Sequence, residues 1–288
     1  MLYRRQNRIG KRLMWLLFVL LALIILLPIV RTFMYSFFSP SEMKAYLDTR
    51  GSYDEEAWIE VKLSPEPFSL RQYYRILIED SKILQLFVNS AFYAVMIIVG
   101  QALSIPLLAY GLSRFQFKGR DTLFFCIIML MLLPFQVTMA PNVIMLRRMN
   151  LIDTPWAVIL PMWFSPFFIF LLRQFMVTLP NELIEAGMID GAGEIRCFVH
   201  IVLPVCRPVL GAAVALSFAE CWNLVEQPLI YLSNNPEWQP LSVMFQEIGI
   251  SGQEIAFAGA ALYILPALFV YMFFQEDIVL GIQLSELK

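Results

Sequence analysis

Long apolar segments alternate with short polar segments along almost the whole chain. A helix needs about 20 consecutive apolar residues to cross a bilayer, and six segments come close to or exceed that length. Because a spanning segment must satisfy its own backbone hydrogen bonds, each one is predicted to be an α-helix. The predicted spans are residues 13–38, 83–113, 122–146, 155–172, 209–232 and 255–274. The pattern therefore predicts an all-α, polytopic membrane protein with six transmembrane helices.

The distribution of basic residues gives these spans an orientation. Residues 1–12 are rich in arginine and lysine and contain no acid, which predicts a cytoplasmic N-terminus by the positive-inside rule. The apolar run that follows continues past Arg31 and has no small-residue cleavage site, so we interpret it as a span and not as a signal peptide. Six spans then place both termini inside the cell. Residues 114–121, 173–208 and 275–288 are predicted to be cytoplasmic, and residues 39–82, 147–154 and 233–254 are predicted to lie outside.

The predicted outer segment 39–82 is long and polar, and its acids outnumber its bases. It is either a surface loop without a partner or part of a docking surface for a protein that delivers a substrate. The sequence alone leaves both interpretations open.

Composition agrees with a membrane protein and argues against several classes of function. Hydrophobic residues make up 59% of the 288 residues and charged residues only 15%, whereas charged residues make up about 25% of average soluble proteins. No G-x-x-x-x-G-K-[ST] loop is present, so the chain does not bind ATP by that route, and no H-E-x-x-H or G-x-S-x-G motif occurs. The four cysteines lack C-x-x-C spacing and are predicted to be free thiols. We therefore expect neither an enzyme nor a bound metal or other cofactor.

One polar stretch, residues 181–208, separates the fourth and fifth predicted spans and is too polar to span a bilayer. Its first half is predicted to be a short helix from Asn181 to Asp190. Pro180 and Asn181 favour the start of this helix, because proline fits a first turn and asparagine can accept from free N–H groups. Gly191 favours its end, because a left-handed residue commonly closes a helix.

The second half of this stretch is predicted to form a helix over residues 194–202, ended by Pro204 and Pro208. On the first helix, spacings of three and four residues place two sets of side chains on separate faces. A short helix with small residues and charged edges outside the bilayer is predicted to be a docking element. One face carries Leu183, Ala186, Gly187 and Asp190, and the other carries Glu182, Glu185 and Ile189.

The same stretch resembles the cytoplasmic signature of ABC importer permeases, which reads EAA, three residues, Gly, nine residues and then I-x-L-P. Here Glu185-Ala186-Gly187 is followed at the same spacings by Gly191 and by residues 201–204. Glycine at the third position is the one departure from the signature. Three further segments are similar to the carbohydrate, maltose-permease-like branch of that family: residues 112–120, 171–175 and 222–223.

This resemblance implies a permease subunit of an ABC importer in the bacterial cytoplasmic membrane. The implied partners are a second permease subunit in a heterodimer, two ATP-binding cassette subunits that hydrolyse ATP, and an external solute-binding protein. The implied substrate is a sugar or oligosaccharide, with another polar solute such as a glycerol phosphate left open. Glu185 either pairs with a basic residue of the ATPase or belongs to a solvated helix face. The residues implied in coupling to the ATPase are Glu185, Ala186, Gly187, Asp190 and Gly191.

The fifth predicted span contains a carboxylate, Glu220, at membrane depth. A charged side chain at that depth is expected to face protein or water and not lipid. If the span is one helix, Glu220, Asn223 and Gln227 lie at i, i+3 and i+7 and form one stripe. We expect this stripe to line the substrate path, with Trp222 or Phe218 as an apolar face for a sugar. Hydrogen bonding between subunits is the alternative role of the same stripe.

A second class of function also follows from Glu220. An ion- or proton-coupled secondary transporter could use this carboxylate as its ion site. That hypothesis leaves the polar stretch 181–208 without a role.

Several prolines fall within the predicted spans and are expected to bend them, which would allow a cavity and a gate to form. They are Pro106, Pro134, Pro161, Pro166, Pro228 and Pro266. The other polar side chains in the spans are expected to make structural hydrogen bonds more often than to bind substrate. These are Gln101, Ser104, Gln136, Thr138 and Ser165.

Overall fold

The computed structural model describes residues 2–51, 65–79, 81–247 and 253–286. Within these ranges the chain forms helices joined by turns and contains no β-strand, which confirms the all-α prediction. The chain divides into two compact units, Met1–Leu84 with Glu247–Leu265 and Gln85–Gln246 with Pro266–Lys288.

In chain order the helices are α1 (Leu2–Tyr35), α2 (Pro40–Gly51), α3 (Arg71–Tyr74), α4 (Ser81–Arg114), α5 (Arg120–Leu132), α6 (Phe135–Arg148), α7 (Trp156–Met162), α8 (Pro166–Thr178), α9 (Asn181–Ile189), α10 (Glu194–Cys197), α11 (Leu203–Val205), α12 (Arg207–Trp222), α13 (Glu226–Tyr231), α14 (Leu241–Glu247) and α15 (Gln253–Glu286). Two π-helical segments, Arg75–Glu79 and Phe198–Val202, continue α3 and α10.

The first unit contains α1, whose large apolar side chains between Leu13 and Val30 are exposed among the described residues. None of the most apolar window of its stretch Gly10–Tyr35 is buried. Exposed apolar surface of this extent requires lipid or another protein to cover it. The finding agrees with the predicted first span.

At the end of α1 a small aromatic cluster holds the described part of the predicted outer segment 39–82. Tyr35, Phe38 and Met43 are buried together, and Phe257 of α15 meets the Tyr35 ring edge-on at 5.2 Å between centroids. The buried Gln72 amide donates to the carbonyls of Tyr35 and Phe38 at 3.1 and 2.9 Å. The described part of this segment therefore folds back onto α1; residues 52–64 and 80 lie outside the described residues.

The second unit has its largest buried core where α4, α8 and the segment after α9 meet. The helices α5 and α12 both pack against α8. This core anchors the polar stretch 181–208 to two long apolar helices. Among its members are Ile105, Ala109, Phe168, Ile169, Leu172, Met176, Ile184, Phe198 and Val202.

The described helices confirm a chain that crosses the membrane several times. Four helical stretches, one of them α7 and α8 taken together, are long and apolar enough to span a bilayer, and two bent helix pairs raise the number to six if each pair counts as one span. The four are Gly10–Tyr35, Ser81–Arg114, Trp156–Thr178 and Ile255–Val279.

Four predicted spans differ from the observed helices. The fourth consists of two helices, because α7 ends at Met162 and α8 runs from Pro166 to Thr178. The third is broken, because α5 and α6 meet at 108° around Pro134. The fifth was predicted as one helix over residues 209–232, but α12 ends at Trp222 and α13 is a separate helix. The sixth continues past residue 274, since α15 runs to Glu286 without a break at Pro266. Pro106 likewise lies inside the continuous α4.

Candidate functional site

Residues 181–205 form a hairpin of two short helical arms, and the structure confirms its predicted turn. The first arm, α9, ends at Ile189, and Gly191 has a left-handed φ of 83°. The Gly191 N–H donates to the Met188 carbonyl and the Ala192 N–H donates to the Gly187 carbonyl, both at 3.0 Å. This pair of bonds is a Schellman motif, in which glycine satisfies the last carbonyls of a helix.

The start of α9 differs from the predicted cap. Pro180 occupies the N-cap position, and no side chain caps the helix there. Asn181 is the first helical residue, and its side-chain oxygen accepts a hydrogen bond from Arg114. The asparagine therefore ties α9 to α4 instead of serving its own helix.

The second arm is longer than predicted. It runs from Glu194 to Val205 through the π-helical segment Phe198–Val202, and Pro204 lies in its last turn. The wider π-helical register accommodates a proline that would clash in an ordinary α-helix interior. Pro208 sits in the first turn of α12, where its missing N–H is harmless. The prediction that these prolines end the arm at residue 202 was wrong.

The residues predicted to share one face of α9 do not share one environment: Gly187 packs inside the hairpin, whereas Ala186 and Asp190 are exposed. A Cβ atom added to Gly187 would lie 2.6 Å from Ile201 Cδ1 and 3.2 Å from Cys197 Sγ. Glycine at this position lets the two arms approach closely, and the neighbouring Ile184 is buried on the same side. By contrast, Glu185, Ala186, Asp190 and Gly191 are exposed. Gly187 thus shapes the hairpin from within.

The outer face of the hairpin combines exposed isoleucines with acids. Ile189 is 86% exposed and Ile195 is 80% exposed, although both lie on the polar end of the hairpin. Exposed apolar surface that is rimmed by polar residues marks a contact site for another protein or a membrane. The exposed charged residues of the hairpin are the acids Glu182, Glu185, Asp190 and Glu194 and the base Arg196.

Two residues of α4 hold the hairpin in place, and sequence reasoning missed the role of both. Besides its bond to Asn181, Arg114 donates to the carbonyls of Met176 and Leu179 at 2.8 and 2.9 Å. It thereby joins two carbonyls at the end of α8 to the first residue of α9 with one side chain. Tyr110 donates its hydroxyl to Glu194 at 3.0 Å and so reaches the second arm.

A second candidate site is an open groove of about 500 Å³ in the second unit. It lies beside three breaks between consecutive helices, and each break has a proline at or near the start of the following helix. Pro134 precedes α6, Pro166 begins α8 and Pro228 lies in the first turn of α13. Irregular backbone at membrane depth is tolerated where it lines a cavity. The groove-lining residues are Gln101, Leu130, Met131, Leu133, Phe135, Thr138, Asn142, Val158, Pro161, Met162, Phe164, Ser165, Pro166, Phe167, Glu220, Gln227 and Tyr231.

Two of the breaks share one hydrogen-bonding device. Pro166 has no N–H to give the Met162 carbonyl four residues earlier, and the Gln101 amide donates to that carbonyl at 2.7 Å. Ser104 donates to the next carbonyl, that of Trp163, at 2.9 Å. In the same way Pro228 cannot serve the Leu224 carbonyl, and the Ser242 hydroxyl donates to it. The structural roles predicted for Gln101 and Ser104 are therefore confirmed.

The predicted stripe on the fifth span is only partly brought together. Glu220 and Gln227 both line the groove. Asn223 does not, because α12 has ended one residue earlier, and its amide donates to the Ala219 carbonyl at 2.8 Å. Trp222 is 2% exposed and stacks on Phe218 at 5.3 Å. The assumption of one continuous helical stripe was wrong, and Trp222 packs in the core instead of lining the groove.

Asn142 and Tyr231 contribute polar atoms to the groove and were missed as candidates. Asn142 belongs to α6, which begins only after the bend at Pro134, so its approach to Glu220 depends on tertiary structure. The sequence did carry one usable signal. The residue four positions before each proline loses its helical partner, and this marks Met162 and Leu224 as carbonyls that require an outside donor.

Residues 102–279 match the family model described as binding-protein-dependent transport system inner membrane component. The chain is 28% identical over 282 residues to the arabinooligosaccharides transport system permease protein AraQ of Halalkalibacterium halodurans, covering 96% of this chain and 97% of the relative. It is 33% identical over 202 residues to the sn-glycerol-3-phosphate transport system permease protein UgpE of Yersinia pestis, covering 69% of this chain and 72% of the relative.

A solved structure with a similar fold comes from a bacterial ABC transporter involved in the import of the acidic polysaccharide alginate. One of its chains matches with a TM-score of 0.80 and 24% sequence identity, covering 94% of this chain and 97% of that chain. This similarity extends the agreement to the overall helical architecture.

Proposed function

The chain belongs to the family of binding-protein-dependent transport system inner membrane components, and from this premise we propose that it is a permease subunit of an ATP-driven sugar importer. It is a multi-pass membrane protein with a transport role and no catalytic role of its own. In the proposed complex it pairs with a second permease chain and two ATPase subunits. An external binding protein delivers the solute.

The hairpin is the proposed contact with the ATPase. Its surface offers two exposed isoleucines, and four of its five exposed charged residues are acids, a combination suited to a partner with an apolar pocket and basic residues at its rim. Glu185 is exposed, which suits a charge pair with such a residue. The hairpin is fixed to α4 by the bonds of Arg114 to Asn181 and of Tyr110 to Glu194. A rigidly held hairpin can transmit ATPase motion into the spans, as a coupling element requires.

This role assigns the hairpin to the cytoplasmic side. The basic segment 1–12 then also lies inside the cell, as the positive-inside rule predicts, and the count of six spans places the segment 275–288 there too. The groove becomes the proposed substrate path, with Glu220 and Gln227 among its polar groups. The proposed sugar substrate draws on the arabinooligosaccharide relative and on the carbohydrate-branch segments of the sequence.

An ion-coupled secondary transporter using Glu220 is the weaker alternative. It gives no account of the exposed isoleucines on the hairpin. It also predicts that uptake persists when the ATPase gene is deleted, which the importer proposal does not allow.

The outer face of the hairpin carries the proposal, and its disruption is the test. The double variant Glu185→Lys/Ile189→Glu reverses one charge and introduces another into the apolar centre of that face. Truncating or reversing interface anchors commonly costs about 2 kcal/mol or more, which corresponds to roughly thirtyfold weaker association. We therefore expect the ATPase subunit to be lost when the transporter is purified through a tag on this chain.

Glu237→Lys is the matched control, since Glu237 is also an exposed acid but lies in the turn after α13, far along the chain from the hairpin. The control is expected to retain the ATPase. Full retention by the hairpin variant, with wild-type uptake of the solute, would contradict the proposal.

A further inference from the structure

The groove has a distinctive chemical lining. Its polar groups are carboxamides, hydroxyls and one carboxylate, supplied by Asn142, Thr138, Ser165, Gln227, Tyr231 and Glu220, while the amide of Gln101 is already bonded to Met162 and Ser217. Among the described residues that line it, none is lysine, arginine or histidine. A solute in the groove therefore meets hydrogen-bonding groups and a single negative charge.

The basic residues that come closest to the groove along the sequence of its helices do not add a positive charge to its lining. Arg147 and Arg148 end α6 more than one turn beyond Asn142, and both are exposed outside the groove lining. A second acid lies beside the groove instead, since Glu226 precedes Gln227 and its carboxylate accepts from the Gln136 amide at 3.4 Å. The two charged residues that α12 and α13 place in or beside the groove, Glu220 and Glu226, are therefore both acids.

The apolar part of the lining is also selective. Phe135, Phe164 and Phe167 line the groove together with the polar groups. A sugar ring has hydroxyls at its edge and C–H groups on its faces, so it can exchange water for carboxamide partners while its face packs on an aromatic ring. An anionic solute would need a cation to replace its hydration and would instead meet Glu220. Rings of acidic side chains exclude anions from pores by the same principle.

We infer that the groove admits uncharged polyhydroxylated solutes and that Glu220 is the specificity-determining residue that excludes anionic ones, such as uronate oligosaccharides and sugar phosphates. The inference rests on the proposed function for the identity of the groove as the transport path. It narrows the substrate class to neutral sugars.

The charge of the groove can be measured without knowing the solute. Thr138→Cys places a thiol in the groove, and Cys126→Ser removes the exposed native thiol, while the three remaining cysteines are buried. The assembled transporter in open membrane fragments is treated with two methanethiosulfonates of similar size, one cationic and one anionic. We expect the cationic reagent to react about tenfold faster at position 138, because a charged cleft concentrates counter-ions.

Glu220→Gln in the same background keeps the shape of the side chain and removes its charge. It is expected to lower the ratio of the two rates about fivefold or more at position 138. Ser233→Cys, an exposed site in the turn after α13, is the matched control and its ratio should not change. A faster anionic reagent in the parental background, or a ratio that ignores Glu220→Gln, would overturn the inference.

Protection of the same thiol tests the solute class directly. Millimolar arabinotriose is expected to slow modification of the thiol at position 138 at least twofold, and trigalacturonate at the same concentration is expected to do so only in the Glu220→Gln background. Equal protection by both sugars in the parental background, or none by arabinotriose, would overturn the inference. Failure here is distinct from failure of the proposed function, which is read from ATPase retention at the hairpin.

Discussion

The hairpin and the groove are both polar features of an apolar chain, but they are built in opposite ways. The hairpin consists of one continuous stretch, residues 181–205, whose turn is set by its own Gly191. The groove gathers side chains from α4, α5, α6, α7, α8, α12 and α13. One is a local structure that tertiary contacts hold in place, and the other exists only through tertiary contacts.

This difference separates two kinds of task. A surface that must engage another protein benefits from a shape that survives by itself, and the Schellman turn and the Gly187 contact provide one. A path through a bilayer needs polar groups at a depth where a regular helix has no free backbone groups to offer. Broken helices expose backbone carbonyls, and side chains of neighbouring helices donate to the carbonyls of Met162, Trp163 and Leu224.

The largest effect is expected at Arg114, because one side chain joins α4 to the end of α8 and the start of α9. Arg114→Ala removes these hydrogen bonds together and is expected to cost about 3 kcal/mol of the local stability of the hairpin. Hydrogen exchange of the backbone amides of residues 181–192 should accelerate accordingly, while exchange in α12 stays slow.

Arg114→Lys keeps the charge but lacks the planar fork that reaches several acceptors at once, so it should restore protection only in part. If hairpin exchange in Arg114→Ala matched that of the wild type, the idea that α4 holds the hairpin would be wrong.

The groove is expected to respond less strongly at Gln101. Gln101→Leu leaves the Met162 carbonyl without its donor and costs about 2 kcal/mol, the usual penalty for an unsatisfied buried polar group. Thermal unfolding of the purified transporter measures the loss. Uptake should fall with it, because the break between α7 and α8 forms one wall of the groove.

A second substitution makes this prediction sharper. Pro166→Ala supplies the N–H that proline lacks, so the Met162 carbonyl regains a helical partner four residues on. The double variant Gln101→Leu/Pro166→Ala should recover stability relative to Gln101→Leu while uptake stays low, because a continuous helix closes the break. Stability that did not recover would show that the lost Met162 hydrogen bond is not the cause.

The same division explains what sequence reasoning achieved. The start of α9 after Pro180 and its end before Gly191 depend on signals that act over a few residues. The first arm and its turn were therefore predicted correctly. The bond between Arg114 and Asn181 joins residues 67 apart in sequence. Nothing in local spacing distinguishes it from a solvent-exposed arginine, and the cap predicted for Asn181 was therefore wrong.

In the groove, Glu220 was recognisable because a carboxylate in an apolar segment must find a polar environment. The prediction that one continuous helix places Asn223 on the same stripe as Glu220 was wrong, because α12 ends at Trp222. This break depends on Pro228 and on the Ser242 hydroxyl, which donates to the Leu224 carbonyl. The proline was visible in the sequence. The serine, 18 residues from that carbonyl, was not identifiable as its partner.

The smallest effect is expected at the turn between α6 and α7, which holds the end of α13. The Asp153 carboxylate accepts from the side-chain amide and the backbone N–H of Asn234, both at 2.9 Å. These hydrogen bonds, with a smaller contribution from Arg147, lower the pKa of Asp153 below its ordinary value of 3.8. The stabilisation is therefore fully present above pH 3.8 and is lost as the pH falls through the lowered pKa of the folded protein.

Asp153→Asn tests this at the same backbone geometry, since asparagine tolerates the left-handed φ of 62° at this position. The variant should melt at a slightly lower temperature than the wild type at pH 6, and the two should converge as the pH falls below 3.8. The turn is solvent-exposed, so high salt should shrink the difference by screening. A difference that persisted undiminished in acid would mean that the carboxylate charge does not hold the end of α13.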